Sequence, residues 1–149
     1  MFNSYSEMKY GTDCFNQKRK RNIRNTNKLY YNCAGYAFET FSWYIPLTSG
    51  INNSRHYKSM IQTMLEDFPD LRVIEKISDL QSDEYAIAFR TSDHDLHFAK
   101  RAKNGVWFHK MGASEKIGIM SEKEIFSESW GYGYNSKITL FAKKRHKRK

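Results

Sequence analysis

The hydrophobic pattern changes period part-way along the chain. Between residues 33 and 45, Ala34, Ala37, Phe38, Phe41 and Ile45 recur at helical spacing, with Asn32 as N-cap and Pro46 as stop. Over residues 55–68, Tyr57, Met60, Ile61, Met64, Leu65 and Phe68 keep the three-four rhythm, and Pro69 closes the segment. After residue 70 the period is two. Leu71, Val73 and Ile74 mark a short strand, and four more run near Tyr85 to Phe89, Leu96 to Ala99, Val106 to His109 and Lys137 to Phe141. Lys103-Asn104-Gly105 reads as a hairpin turn, because Asn and Gly tolerate positive φ. Ser121 and Glu124 stand at capping-box spacing before Ile125 and Phe126, which predicts a short helix. Helices first and a mainly antiparallel sheet afterwards make an α+β chain, with helix 33–45 expected to pack on the sheet.

Composition narrows this to one folded domain. A length of 149 residues is well below the size at which chains divide. Ten Phe, ten Tyr and three Trp are too many large apolar side chains for a disordered chain. The 28% of charged residues and the lack of a long apolar run exclude a membrane-spanning helix. No secretory signal pattern is visible at the start, and two cysteines, Cys14 and Cys33, are too few for a disulfide framework. The simpler reading is a cytoplasmic protein with reduced thiols.

Charge adds a second feature. Lys18, Arg19, Lys20, Arg21, Arg24 and Lys28 form one basic run, and Lys143, Lys144, Arg145, Lys147, Arg148 and Lys149 form another. The intervening body is slightly acidic. We therefore divide the chain into a basic arm (1–28), a domain (29–142) and a basic tail (143–149). Such runs are either solvated appendages or salt-sensitive contacts to nucleic acid or another polyanion.

Three residues carry candidate chemistry. Cys33 falls at a predicted helix start, where backbone N–H groups and the helix dipole favour a thiolate; the competing reading is a small buried hydrophobe. His97 alternates with Leu96 and Phe98, so it shares a sheet face with Ala99 and can hold a thiolate as an ion pair. His109 depends on the turn. A three-residue loop with Gly105 at positive φ places His109 opposite Ala99, one diagonal from His97; a two-residue Asn-Gly turn sends the two imidazoles to opposite faces.

Asn32-Cys33-Ala34-Gly35-Tyr36-Ala37, Asp95-Leu96-His97-Phe98 and Gly105-Val106-Trp107-Phe108-His109-Lys110-Met111-Gly112 together resemble the papain-like cysteine peptidases, most closely the NlpC-type cell-wall branch. The likeness covers roughly residues 30–112, with Asn-Cys-Ala-Gly where that branch commonly has Asp-Cys-Ser-Gly. It implies a papain-like α+β fold and cleavage of a peptide, isopeptide or peptidoglycan-like amide through a thioester. Cys33 is then the nucleophile, His97 the base and His109 the residue that orients His97. Tyr31 is an oxyanion candidate, and Trp107 and Trp130 are substrate-contact candidates. No cofactor is implied. The alternative is a non-enzymatic module that binds nucleic acid or another polyanion through Lys18, Arg19, Lys20, Arg21, Lys144, Arg145, Lys147 and Arg148, with the Cys/His set structural.

Two further clusters carry candidate chemistry. Asp93, His94, Asp95 and His97 have metal-ligand chemistry, but His94 and His97 face opposite sides of a strand, so no metal site is expected. Trp130-Gly131-Tyr132-Gly133-Tyr134 reads either as a cleft wall or as an aromatic loop packed on the sheet edge. Phosphate-binding loops, dinucleotide fingerprints and serine-nucleophile elbows are absent from the sequence.

Overall fold

The structure is a computed structural model that describes residues 2–3, 31–46, 57–92, 96–110, 116–127, 130 and 136–146. It is α+β. The described strands are β1 (Phe2–Asn3), β2 (Leu71–Ile74), β3 (Glu84–Thr91), β4 (Leu96–Arg101), β5 (Trp107–Lys110), β6 (Ile117–Met120) and β7 (Thr139–Lys144). They form one sheet in the order β1-β6-β5-β4-β3-β7-β2. Six strands are mutually antiparallel, and only the β1–β6 pair is parallel. All eight residues of β3 are buried, as a strand needs when both faces are covered.

The sheet separates two apolar layers. On one side lie Cys33, Ala34, Ala37, Phe38, Met60, Met64, Ile87, Phe89, Leu96 and Phe98. On the other lie Ala86, Ala88, Ala99, Trp107, Met120, Ile125, Trp130 and Leu140. Strand alternation sorts them, since successive side chains point to opposite faces. The first layer is capped by helix α1 (Cys33–Ala37) and helix α2 (Tyr57–Asp67), the second by helix α3 (Glu122–Ile125). The capping box of α3 forms as expected: Glu124 N–H donates to Ser121 Oγ at 3.1 Å and Ser121 N–H donates to Glu124 Oε1 at 2.9 Å.

Helix α1 is shorter than the spacing predicts, ending at Ala37 rather than near residue 45. The amides of Thr40 and Phe41 both turn back to Gly35 O, at 3.2 Å each. Glu39 and Phe41 accept positive φ of 58° and 53° to make that turn. A Cβ at Gly35 would run into the Ser42 carbonyl, so glycine is what lets the returning chain lie there. Asn32 fixes both parts: its Oδ1 accepts from Gly35 N–H (3.0 Å) and Tyr44 N–H (3.3 Å), and its Nδ2 donates to Tyr44 O (2.8 Å).

Two more boundaries move. Strand β6 was not anticipated, because Ile117-Gly118-Ile119-Met120 is short and glycine-interrupted. Strand β7 extends through Lys143 and Lys144, so the domain does not stop at residue 142. Lys143 is buried and reaches Asp70 at 3.4 Å, while Lys144 pairs with Asp83 at 3.1 Å. The basic tail begins later than the charge pattern indicates, since long cationic side chains can lie along a strand and place their ends beside carboxylates. Residue 1, residues 4–30, which include most of the arm, and the end 147–149 lie outside the described residues.

Candidate functional site

The histidines meet. Lys100 pairs with Phe108 and Arg101 with Trp107, the register of a three-residue loop. Gly105 takes φ 89°, Ala102 N–H donates to Val106 O at 2.8 Å, and Val106 N–H donates to Asn104 Oδ1 at 3.1 Å. His97 and His109 therefore share a face. His97 Nε2 lies 3.0 Å from His109 Nδ1, with the rings at 89°. Both side chains are fully buried. Burial holds the His97 pKa well below its ordinary value, and the neighbouring His109 lowers it further; burial alone brings His109 to about 4. Near neutral pH the pair is uncharged, so one ring donates and the other accepts. Among the described residues, His109 Nε2 is buried without a hydrogen-bond partner.

Trp130 closes over this pair. Its ring is 6.0 Å from the His97 ring at 86°, and its Nε1–H donates to Ile125 O at 2.6 Å. The residue takes φ 55°, an unusual conformation for a tryptophan. Arg90, opposite His97 in the β3–β4 ladder, lies 5.7 Å from the Trp130 ring and donates to Ser127 O at 2.7 Å and Ser136 O at 2.8 Å. It thereby ties together the two ends of the segment that carries Trp130. The sequence signal for Arg90 is a charged residue directly after the apolar run Tyr85 to Phe89 of buried β3.

Cys33 lies on the other layer. Its Sγ rests 4.0 Å from the carbonyl oxygen of Leu96, the residue before His97, and the side chain is fully buried. Two expectations are corrected here. Helix α1 covers the Leu96 and Phe98 face, not the His97 and Ala99 face, because the large apolar side chains of β4 supply the surface that the helix buries. Cys33 is also disulfide-bonded rather than free; the chain's other cysteine, Cys14, lies outside the described residues. In this form no thiolate exists to keep His97 protonated, and desolvation decides its charge.

The remaining candidates have other roles. Tyr31 is buried with Lys110 Nζ 4.9 Å from its ring, on the α1 side of the sheet. Trp107 is fully buried and its Nε1–H donates to Glu122 Oε2 at 2.6 Å, so it is a core residue and not a cleft wall. Trp130 is likewise buried and contacts His97 in place of solvent. Lys144 is committed to Asp83, and Arg145 lies 5.6 Å from the Tyr85 ring. Lys18, Arg19, Lys20, Arg21, Lys147 and Arg148, like Asp93, His94 and Asp95, lie outside the described residues. Among the described residues, no helix is long and apolar enough to cross a membrane.

A family model described as Domain of unknown function (DUF7689) matches residues 22–139, which span β2 to the start of β7 together with Cys33, His97 and His109. The chain belongs to that family. No curated protein and no solved structure matches it.

Proposed function

We propose that this family member is a papain-like cysteine hydrolase of the NlpC type, cleaving a peptide, isopeptide or peptidoglycan-like amide after its Cys33 disulfide is reduced by a thiol. The observation that carries the reading is the buried His97–His109 hydrogen bond, formed one residue from the point where Cys33 Sγ rests against the strand. A base must be held in one tautomer by a second group. If His97 donates from Nε2 to His109 Nδ1, its Nδ1 carries the lone pair and is the nitrogen available to a thiol.

The reaction then follows from these groups. Reduction must free Cys33 from the Leu96 and Phe98 face of β4 so that its sulfur reaches His97 Nδ1, which takes the Cys33 proton while the sulfur attacks the carbonyl carbon. The C–N bond breaks and the amine leaves with the proton held on His97, giving a thioester. Water, deprotonated by His97, attacks that thioester; the carboxylate departs and Cys33 regains its proton. The backbone at the start of α1 is the oxyanion-binding element of this scheme.

Iodoacetamide modification of the reduced protein tests it, followed residue by residue across pH 5–9. Cys33 is expected to react faster than Cys14 at pH 6. His97→Ala should slow Cys33 far more at pH 6 than at pH 9, with His109→Ala giving a smaller effect. An ordinary thiol profile at Cys33, unmoved by His97→Ala, rejects the nucleophile assignment.

A further inference from the structure

At the opposite end of β4 from His97 there is a pocket of about 350 Å³. Four residue steps of strand separate the two sites, roughly 13 Å at the usual rise. Pockets of this size accept small organic ligands. Its cationic lining comes from three separate segments: Arg101 ends β4, Lys103 sits in the hairpin loop, and Arg145 follows β7.

The charges in this pocket are unevenly matched. Glu84 is the one acid in the lining, and Arg72 holds both its oxygens at 3.0 and 2.7 Å, with the Gln81 amide adding a third bond at 2.9 Å. It is therefore already neutralised. Arg101 Nε contacts Glu122 at 3.4 Å, which leaves the terminal nitrogens of its guanidinium for another partner. Lys103 makes no ion pair among the described residues. Arg145 Nε is buried with no hydrogen-bond acceptor among the described residues. An N–H left in that state is unfavourable, and an entering anion satisfies it.

The arrangement is also held in place. Arg145 N–H donates to Asp83 O at 2.8 Å, and its guanidinium lies against Tyr85. Gly105, at φ 89°, keeps the hairpin close to Arg101, whose Nη2 would stand 3.3 Å from any Cβ there. Three cationic residues from three segments suit the several terminal oxygens of a phosphate better than the two of a carboxylate.

We propose that this pocket binds the phosphate group of a small phosphomonoester or of free phosphate, at a site separate from Cys33 and His97. Isothermal titration calorimetry with adenosine 5′-monophosphate, adenosine and inorganic phosphate tests it on the parent, Lys103→Ser and Arg145→Gln. Saturable binding of the monophosphate but not adenosine is expected, weakened about fivefold by Lys103→Ser and more than tenfold by Arg145→Gln. Equal affinity for inorganic phosphate assigns the site to the free ion; tighter monophosphate binding assigns it to the ester. Lys103 is exposed, so its variant reports on binding even if Arg145→Gln unfolds. The proposal fails if neither phosphate probe binds, or if both variants bind as the parent does. It fails equally if a single-stranded oligonucleotide displaces the monophosphate with no sensitivity to either substitution, which would place the binding on the basic runs.

Discussion

The two sides of β4 are built on different principles. Leu96 and Phe98 meet Phe38, Phe89 and helix α1, where rings stack against one another and the buried Tyr85 hydroxyl donates to Ala37 O at 2.7 Å. One residue over, His97 faces His109, Trp130 and the ladder partner Arg90, and every contact there requires a specific donor, acceptor or ring orientation. The first side rests mainly on apolar packing. The second depends on register, because a slip of one residue would put both imidazoles among the aromatics. Rigidity on one side is thus what allows two buried, uncharged histidines to be held in line on the other.

Three measurements sharpen or break that contrast. Phe98→Ala should have the largest effect, about 3–5 kcal/mol of lost stability in urea unfolding, since it removes a fully buried ring from the stacked layer. A loss below about 1 kcal/mol would mean the aromatic layer is not the rigid side.

The second measurement is pH dependence. In the unfolded chain a histidine titrates near 6.5, whereas His109 in the fold titrates at about 4 and His97 well below its ordinary value. Below about pH 6.5 the unfolded chain binds protons that the folded pair refuses, so stability is full above that pH and falls as pH drops towards 4. For His109 alone the loss amounts to about 3 kcal/mol across that window. Urea midpoints at pH 7 and pH 5 should differ accordingly, and His109→Gln should flatten the difference. Midpoints equal at the two pH values would show that the pair is open to water.

The smallest effect belongs to the cover of the histidine side. Ser121→Ala should cost about 1 kcal/mol, because it removes the cap of the helix that carries Ile125 into that layer. A cost under a few tenths would mean that α3 contributes little to closing it.

Much of this frame was legible in the sequence, and the failures have physical causes. The turn residues Lys103-Asn104-Gly105 left two registers, and Gly105's positive φ selects the one that joins the histidines. The Ser121–Glu124 box and the rhythm of α2 are local signals, and local signals read well. The end of α1 was misread because a long-range packing event, the chain returning over Gly35, overrides a helical spacing that continues to Ile45. The face on which α1 packs was misread for a related reason. Alternation assigns residues to two faces but does not say which face a helix covers. Charge misled at β7, where Lys143 and Lys144 looked like tail residues but pair with acids brought near only by the fold. The disulfide at Cys33 could not be read from two cysteines in positions without a shared element.

The place of β7 between β3 and β2 has a consequence for biosynthesis. Leu71–Ile74 hydrogen-bonds to no strand but β7 among those described, so this segment leaves the ribosome long before its partner exists. Until residues 139–144 emerge, β3 also presents a bare edge open to other chains. The domain closes late, by the insertion of one strand into a waiting gap. A nascent chain arrested before that strand would therefore lack one strand and leave two others unsatisfied.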